Sequence, residues 1–72
     1  MPRYNIPYRL KAKRYKQVDL LMEIKRRGIP APYDSLDQAE LSRFINGISN
    51  PPKSDVILDM CDEILTEWEG KA

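Results

Sequence analysis

Between residues 52 and 69, Ile57, Cys61, Ile64 and Trp68 step by four, three and four, flanked by Val56, Met60 and Leu65. That spacing draws one stripe along an α-helix and fits no strand. The other side carries Asp55, Asp59, Asp62, Glu63, Glu67 and Glu69. A helix so two-sided must press its stripe against other elements. In a chain of 72 residues the cover comes from a single small domain, which buries only about 60% of its unfolded surface. No strand-like alternation and no internal repeat occurs, so the expected class is all-α, a small three- to four-helix domain. Asn50 is a plausible cap for this last helix, and Pro51 or Pro52 fits its first turn.

Two further helices are expected to supply the cover. The first spans about 13–27, with Val18, Leu21, Met22 and the stem of Lys25 as its stripe, widened by Leu20 and Ile24. Gly28 ends it. Lys25, Arg26 and Arg27 fall in its last turn, where cations favour the negative end of the helix dipole. The second spans about 36–46. Ser35 reads as its N-cap, with Gln38 reaching back in a capping box. Leu41, Phe44, Ile45 and Ile48 form its apolar side, and Gly47, after Asn46, supplies a left-handed stop. Between these helices, I-P-A-P-Y-D at 29–34 is broken by two prolines, and each residue before a proline is pushed towards extended backbone. The expected organisation is a basic N-terminal arm over 1–12, a helical domain over 13–69 and a tail over 70–72.

Charge is uneven. Residues 1–29 hold nine Lys/Arg against Asp19 and Glu23, whereas residues 30–72 hold three against nine acids. A basic half suggests a polyanion as partner. The dense run Arg9, Lys11, Lys13, Arg14 and Lys16, interleaved with tyrosines, reads as an arm for phosphates, with Tyr4, Ile6 and Tyr8 pinned on the core. Chemistry beyond binding has little to work with. There is no histidine, and the lone Cys61 lies on the core stripe as a small hydrophobe. A zinc site lacks its usual ligands, the glycines form no phosphate-cradling loop, and the acidic pairs lie along a solvated helix face. No catalysis, metal or cofactor is expected. A single cysteine fits a reducing cytosol, no apolar run approaches the ~20 residues of a membrane span, and the charged start lacks the apolar core of a secretory signal. A cytoplasmic location with no membrane partner is the expectation.

The run L-S-R-F-I-N-G-I-S-N-P at 41–51 resembles the end of the recognition helix and the following loop of Cro and lambda-repressor-like (XRE-type) helix-turn-helix proteins. V-I-L-D-M-C-D-E-I-L at 56–65 is similar to that family's later helix, and the helix ending in K-R-R-G to its opening one. The likeness spans about 17–66. The family places a full helix between the opening and recognition helices, where this chain has only the proline-broken tract. The resemblance therefore implies a shortened helix-turn-helix, its positioning helix reduced to a turn or lost, as in small phage and mobile-element regulators.

Carried over by position, the resemblance implies base contacts from Asp37, Gln38, Ala39, Ser42 and Arg43 in the major groove. Gln pairs with adenine, Arg with guanine, and an alanine methyl packs on thymine's. Phosphate contacts would come from Arg3, Arg9, Lys11, Lys13, Arg14, Lys16 and Lys53. The implied function is a transcriptional regulator, a repressor or activator, that binds double-stranded DNA with helix 36–46. Dimerisation through exposed parts of the last helix is an additional expectation. Alternatives are a protein-interaction module for another regulator or a recombinase, and an excisionase-like factor that bends DNA.

Overall fold

The computed structural model of the chain describes residues 3–70. A 3-10 turn (Arg3–Asn5) leads into four helices: α1 (Ile6–Ala12), α2 (Gln17–Arg27), α3 (Gln38–Ile45) and α4 (Pro52–Glu69). No strand occurs among the described residues, and none of their helices is long and apolar enough to cross a membrane. The class is all-α, as the periodicity of the chain implies.

α4 is the spine. Its bounds are those expected, and Ile57, Leu58, Cys61, Ile64 and Leu65 are buried along it. Pro51 rather than Asn50 occupies the N-cap, and Pro52 starts the helix with its fixed φ. The buried Ser54 hydroxyl donates to the Pro51 carbonyl at 2.6 Å. Asn50 instead turns its amide towards the Gly47 carbonyl, 3.5 Å away. Burial pushes the Cys61 thiol up to about 12, so the sulfur is held neutral as core filling. Trp68 is half-buried against that core, its ring 4.9 Å from Tyr15, whose hydroxyl donates to the Trp68 carbonyl at 3.1 Å.

α1 corrects the expected arm. Residues 6–12 form a helix that packs on α4, with Ile6 and Leu10 buried one turn apart. Pro7 falls in its first turn, where the missing N–H costs nothing. Arg9 lies across α4: its guanidinium donates to both oxygens of Glu69 at 2.9 Å and to Asp62 at 2.7 Å. Tyr4 donates to Asp59 at 2.6 Å. The expected helix over 13–27 therefore begins only at Gln17. Arg14 takes a left-handed φ of 58°, and the Tyr15 N–H returns to the Leu10 carbonyl at 2.9 Å, which closes α1 and turns the chain.

α2 is rotated from the expected stripe. Leu20, Leu21 and Ile24 are buried, while Val18 is at the edge of exposure and Met22 is 64% exposed. The rotation has an electrostatic partner. On the other flank of α2, Arg27 reaches Glu67 of α4 at 2.8 Å and Glu23 at 2.7 Å. Arg26 and Arg27 together hold the Glu23 carboxyl down at about 2. A depressed carboxyl stabilises the fold above its unfolded pKa of about 4.3 and loses that contribution as pH falls towards 2. The Tm gap between the wild type and Glu23→Gln should be full above pH 5 and close on acidification. A gap that stays constant down to pH 2 would show the pairing to be irrelevant in solution. Gly28 ends α2 at φ 92°, a conformation in which a side chain is strained.

Residues 28–37 hold no helix. A turn closes from the Tyr33 N–H to the Pro30 carbonyl at 3.0 Å, and Ala31–Pro32 is cis. The chain then enters α3 two residues later than expected. Asp37, not Ser35, is the cap: its Oδ1 accepts from the Glu40 N–H at 2.7 Å. Leu36 and Leu41 hold the N′ and N4 places of a hydrophobic staple, and both are buried. Phe44 and Ile45 are buried as expected, but Ile48 is 73% exposed. The helical period does not survive the left-handed Gly47, whose φ is 74°.

Candidate nucleic-acid interface

With Leu41, Phe44 and Ile45 turned inward, a helix of 3.6 residues per turn must turn Ala39, Ser42, Arg43 and Asn46 outward. Ala39, Arg43 and Asn46 are exposed and Ser42 is half-buried. These four lie at i, i+3, i+4 and i+7, one continuous row. Gln38 is exposed at one flank, its carbonyl accepting from the Gln17 side chain at 3.0 Å. At the other flank Glu40 is half-buried and ion-paired to Lys53 at 2.9 Å. Asn46 was absent from the expected contacts, although its spacing from Ala39, Ser42 and Arg43 is readable. Its Nδ2 donates to the Ser42 carbonyl at 2.8 Å and reaches the Ser42 hydroxyl at 3.4 Å. The Arg43 guanidinium has no hydrogen bond or ion pair among the described residues.

Asp37 and Glu40, the two carboxylates nearest this row, each hold a partner within the fold. Asp37 caps α3 through its Oδ1 and remains exposed at the first turn of the helix. Lys53, 16% exposed, is likewise committed to Glu40 and to the Ser35 carbonyl. Together with the Leu36 plug and the Gln17 contact, it holds α3 where the loop 28–37 offers no bracing helix. Lys53 thus braces the helix from behind.

The expected phosphate contacts divide. Arg9, 17% exposed, is locked to Asp62 and Glu69, and its guanidinium holds the Glu69 carboxyl below the usual range. The Arg3 side chain lies outside the described residues, as do residues 1–2 of the expected arm and 71–72 of the expected tail. Lys11, Lys13, Arg14 and Lys16 are exposed and form no salt bridge among the described residues. They gather at the corner joining α1 to α2. Gln17, the next residue, ties that corner to the first turn of α3. Four acids of α4 are turned to other partners: Asp59, Asp62 and Glu69 face the 3-10 turn and α1, and Glu67 faces Arg27, while Asp19 stays exposed in the first turn of α2. Exposed basic groups therefore collect at the α1–α2 corner beside α3, while Arg9 and Arg27 are drawn to the acids of α4.

No cluster of three His, Cys, Asp or Glu placed to hold a metal occurs among the described residues. An open cleft of about 350 Å³ lies between Lys25, Ile29, Asp34, Ser35 and Leu36, with no buried polar group aimed into it. Comparison of the chain with protein-family models, curated proteins and solved structures finds no match.

Proposed function

We propose that the chain is a DNA-binding regulator of transcription, a shortened helix-turn-helix of the repressor kind found in phages and mobile elements. It lays the outer row of α3 into the major groove. The supporting observation is the outward row Ala39, Ser42, Arg43 and Asn46, with Gln38 beside it and four exposed cations at the adjoining corner. Arg43 offers a bidentate donor for guanine, Gln38 and Asn46 offer amides for adenine, and the Ala39 methyl suits thymine. Lys11, Lys13, Arg14 and Lys16 fix register through phosphates, which carry no sequence information themselves. Binding needs no chemistry: occupancy alone blocks or recruits the transcription machinery.

Backbone amide shifts on adding duplex DNA test the reading. They should cluster at 38–46 and 11–17. Arg43→Ala should lose about 1–3 kcal/mol of preference for one base pair, with the fold intact because the side chain is exposed. Shifts confined to α4 and the exposed Val18–Met22 edge of α2 would instead favour a module that binds another protein. An unchanged sequence profile for Arg43→Ala would remove that residue from the reading head.

A further inference from the structure

α3 ends in a fully closed stop. The Gly47 N–H donates to the Phe44 carbonyl at 3.2 Å, and the Ile48 N–H to the Arg43 carbonyl at 2.9 Å. The Ser49 N–H shares that Arg43 acceptor at 3.3 Å. This double bridge satisfies the last carbonyls of the helix. It asks for a glycine at 47, whose φ is 74°, and for a backbone N–H at 48, which any residue but proline supplies. An apolar residue at this place often packs on the last turn of the helix it closes. Ile48 is nevertheless 73% exposed, the most exposed large hydrophobe among the described residues. It forgoes the burial that anchors Leu41 and Ile45, while Asn46, Ser49 and Asn50 around it are all polar. Its backbone is pinned by the bridge, and its branched side chain has few rotamers to lose on contact.

We propose that Ile48 reads the C5-methyl group of a thymine, as a specificity-determining residue next to Arg43. The inference rests on the DNA-binding reading above and names a further contact in the same interface. The bridge holds residue 48 against the backbone of Arg43, and both side chains are exposed, so Ile48 stands beside Arg43 at the end of the proposed reading helix. Among base edges in the major groove, the only apolar group is the methyl at C5. A rigid branched alkyl group matches it and tolerates no hydrogen-bonding edge in its place.

The test uses the whole chain and duplexes selected by it from a random, unmethylated library, so any methyl read is thymine's. Each thymine of the selected duplex is then replaced singly by uracil, which lacks only that methyl. At one position the wild type should lose about four-fold in affinity, the share of one buried methyl. Ile48→Ala should bind the thymine duplex about four-fold more weakly and lose nothing further at that position. Its thermal melt should match the wild type's, since the side chain is exposed. A uracil profile unchanged by Ile48→Ala overturns the assignment and leaves Ile48 as surface at a helix stop. Failure of any duplex to be enriched overturns the DNA-binding reading itself, and the assignment falls with it.

Discussion

Leu41→Ala should melt the domain at a far lower temperature than the wild type. Leu41 is fully buried, one turn into α3 and opposite Leu36. Truncating a buried leucine costs about 2–5 kcal/mol, because the cavity only partly collapses. A chain of this size holds roughly 4–11 kcal/mol in total, so the loss is a large share of the whole. At about 4–8 °C per kcal/mol for a small domain, the Tm should fall by about 10–30 °C. α3 has eight residues, too few to be helical on its own; it exists by docking. Circular dichroism melts of Leu41→Ala and Ile48→Ala decide the matter together. The second change should stay within about 0.5 kcal/mol of wild type, as exposed substitutions do. Equal losses in the two variants would mean that α3 is rotated from the orientation described, and the outer row with it.

The pair Leu41 and Ile48 also shows where reading the sequence stops working. Both belong to one apolar side if the helical period is run on past Asn46, and a left-handed Gly47 breaks that period. α4 was legible to its bounds because five turns of stripe leave one solution for the buried side. α2 offered a stripe wider than one buried side: Leu20, Leu21 and Ile24 belong to it and are buried, while Val18 and Met22 at its other edge are exposed. The choice between its edges was made outside the helix, by the Leu20–Ile24 packing and by Glu67 receiving Arg27. α1 was hidden by its own charge: Ile6 and Leu10 have the right spacing, but a run of lysine and arginine around them reads as solvated arm. The cap of α3 moved from Ser35 to Asp37 since both residues can accept an early N–H, and the Leu36–Leu41 staple selects the later start. Of the candidate site, Gln38, Ala39, Ser42 and Arg43 lie where an outward face was expected. Asn46 was masked by its reading as part of a stop. No local pattern could reveal that Arg9 and Lys53 have acids waiting 53 to 60 and 13 residues away in the chain.

That last distinction gives the prediction with the largest effect on binding. Lys11, Lys13, Arg14 and Lys16 are exposed and form no salt bridge within the described fold, whereas Arg9 is bound bidentately to Glu69. If the four exposed cations each meet a phosphate, the logarithm of the affinity should fall with that of salt at a slope of about −3.6. Raising salt from about 50 to 200 mM then weakens binding roughly 100-fold. Changing the four to glutamine should flatten the slope by about 0.9 per residue, with little effect on the melt, because no ion pair in the fold is broken. Arg9→Gln should do the reverse. It releases Asp62 and Glu69 on α4, lowers stability by about 1–2 kcal/mol for a partly buried pair, and leaves the salt slope where it was. Fluorescence anisotropy on a labelled nonspecific duplex reads the slopes, and thermal melts read the stabilities. Should Arg9→Gln flatten the slope as much as any of the four, the guanidinium must leave α4 for DNA, and the division of the basic residues into structural and binding sets fails. Should no variant change a slope that is already near zero, the partner is a protein surface, and the outer row of α3 meets side chains instead of bases.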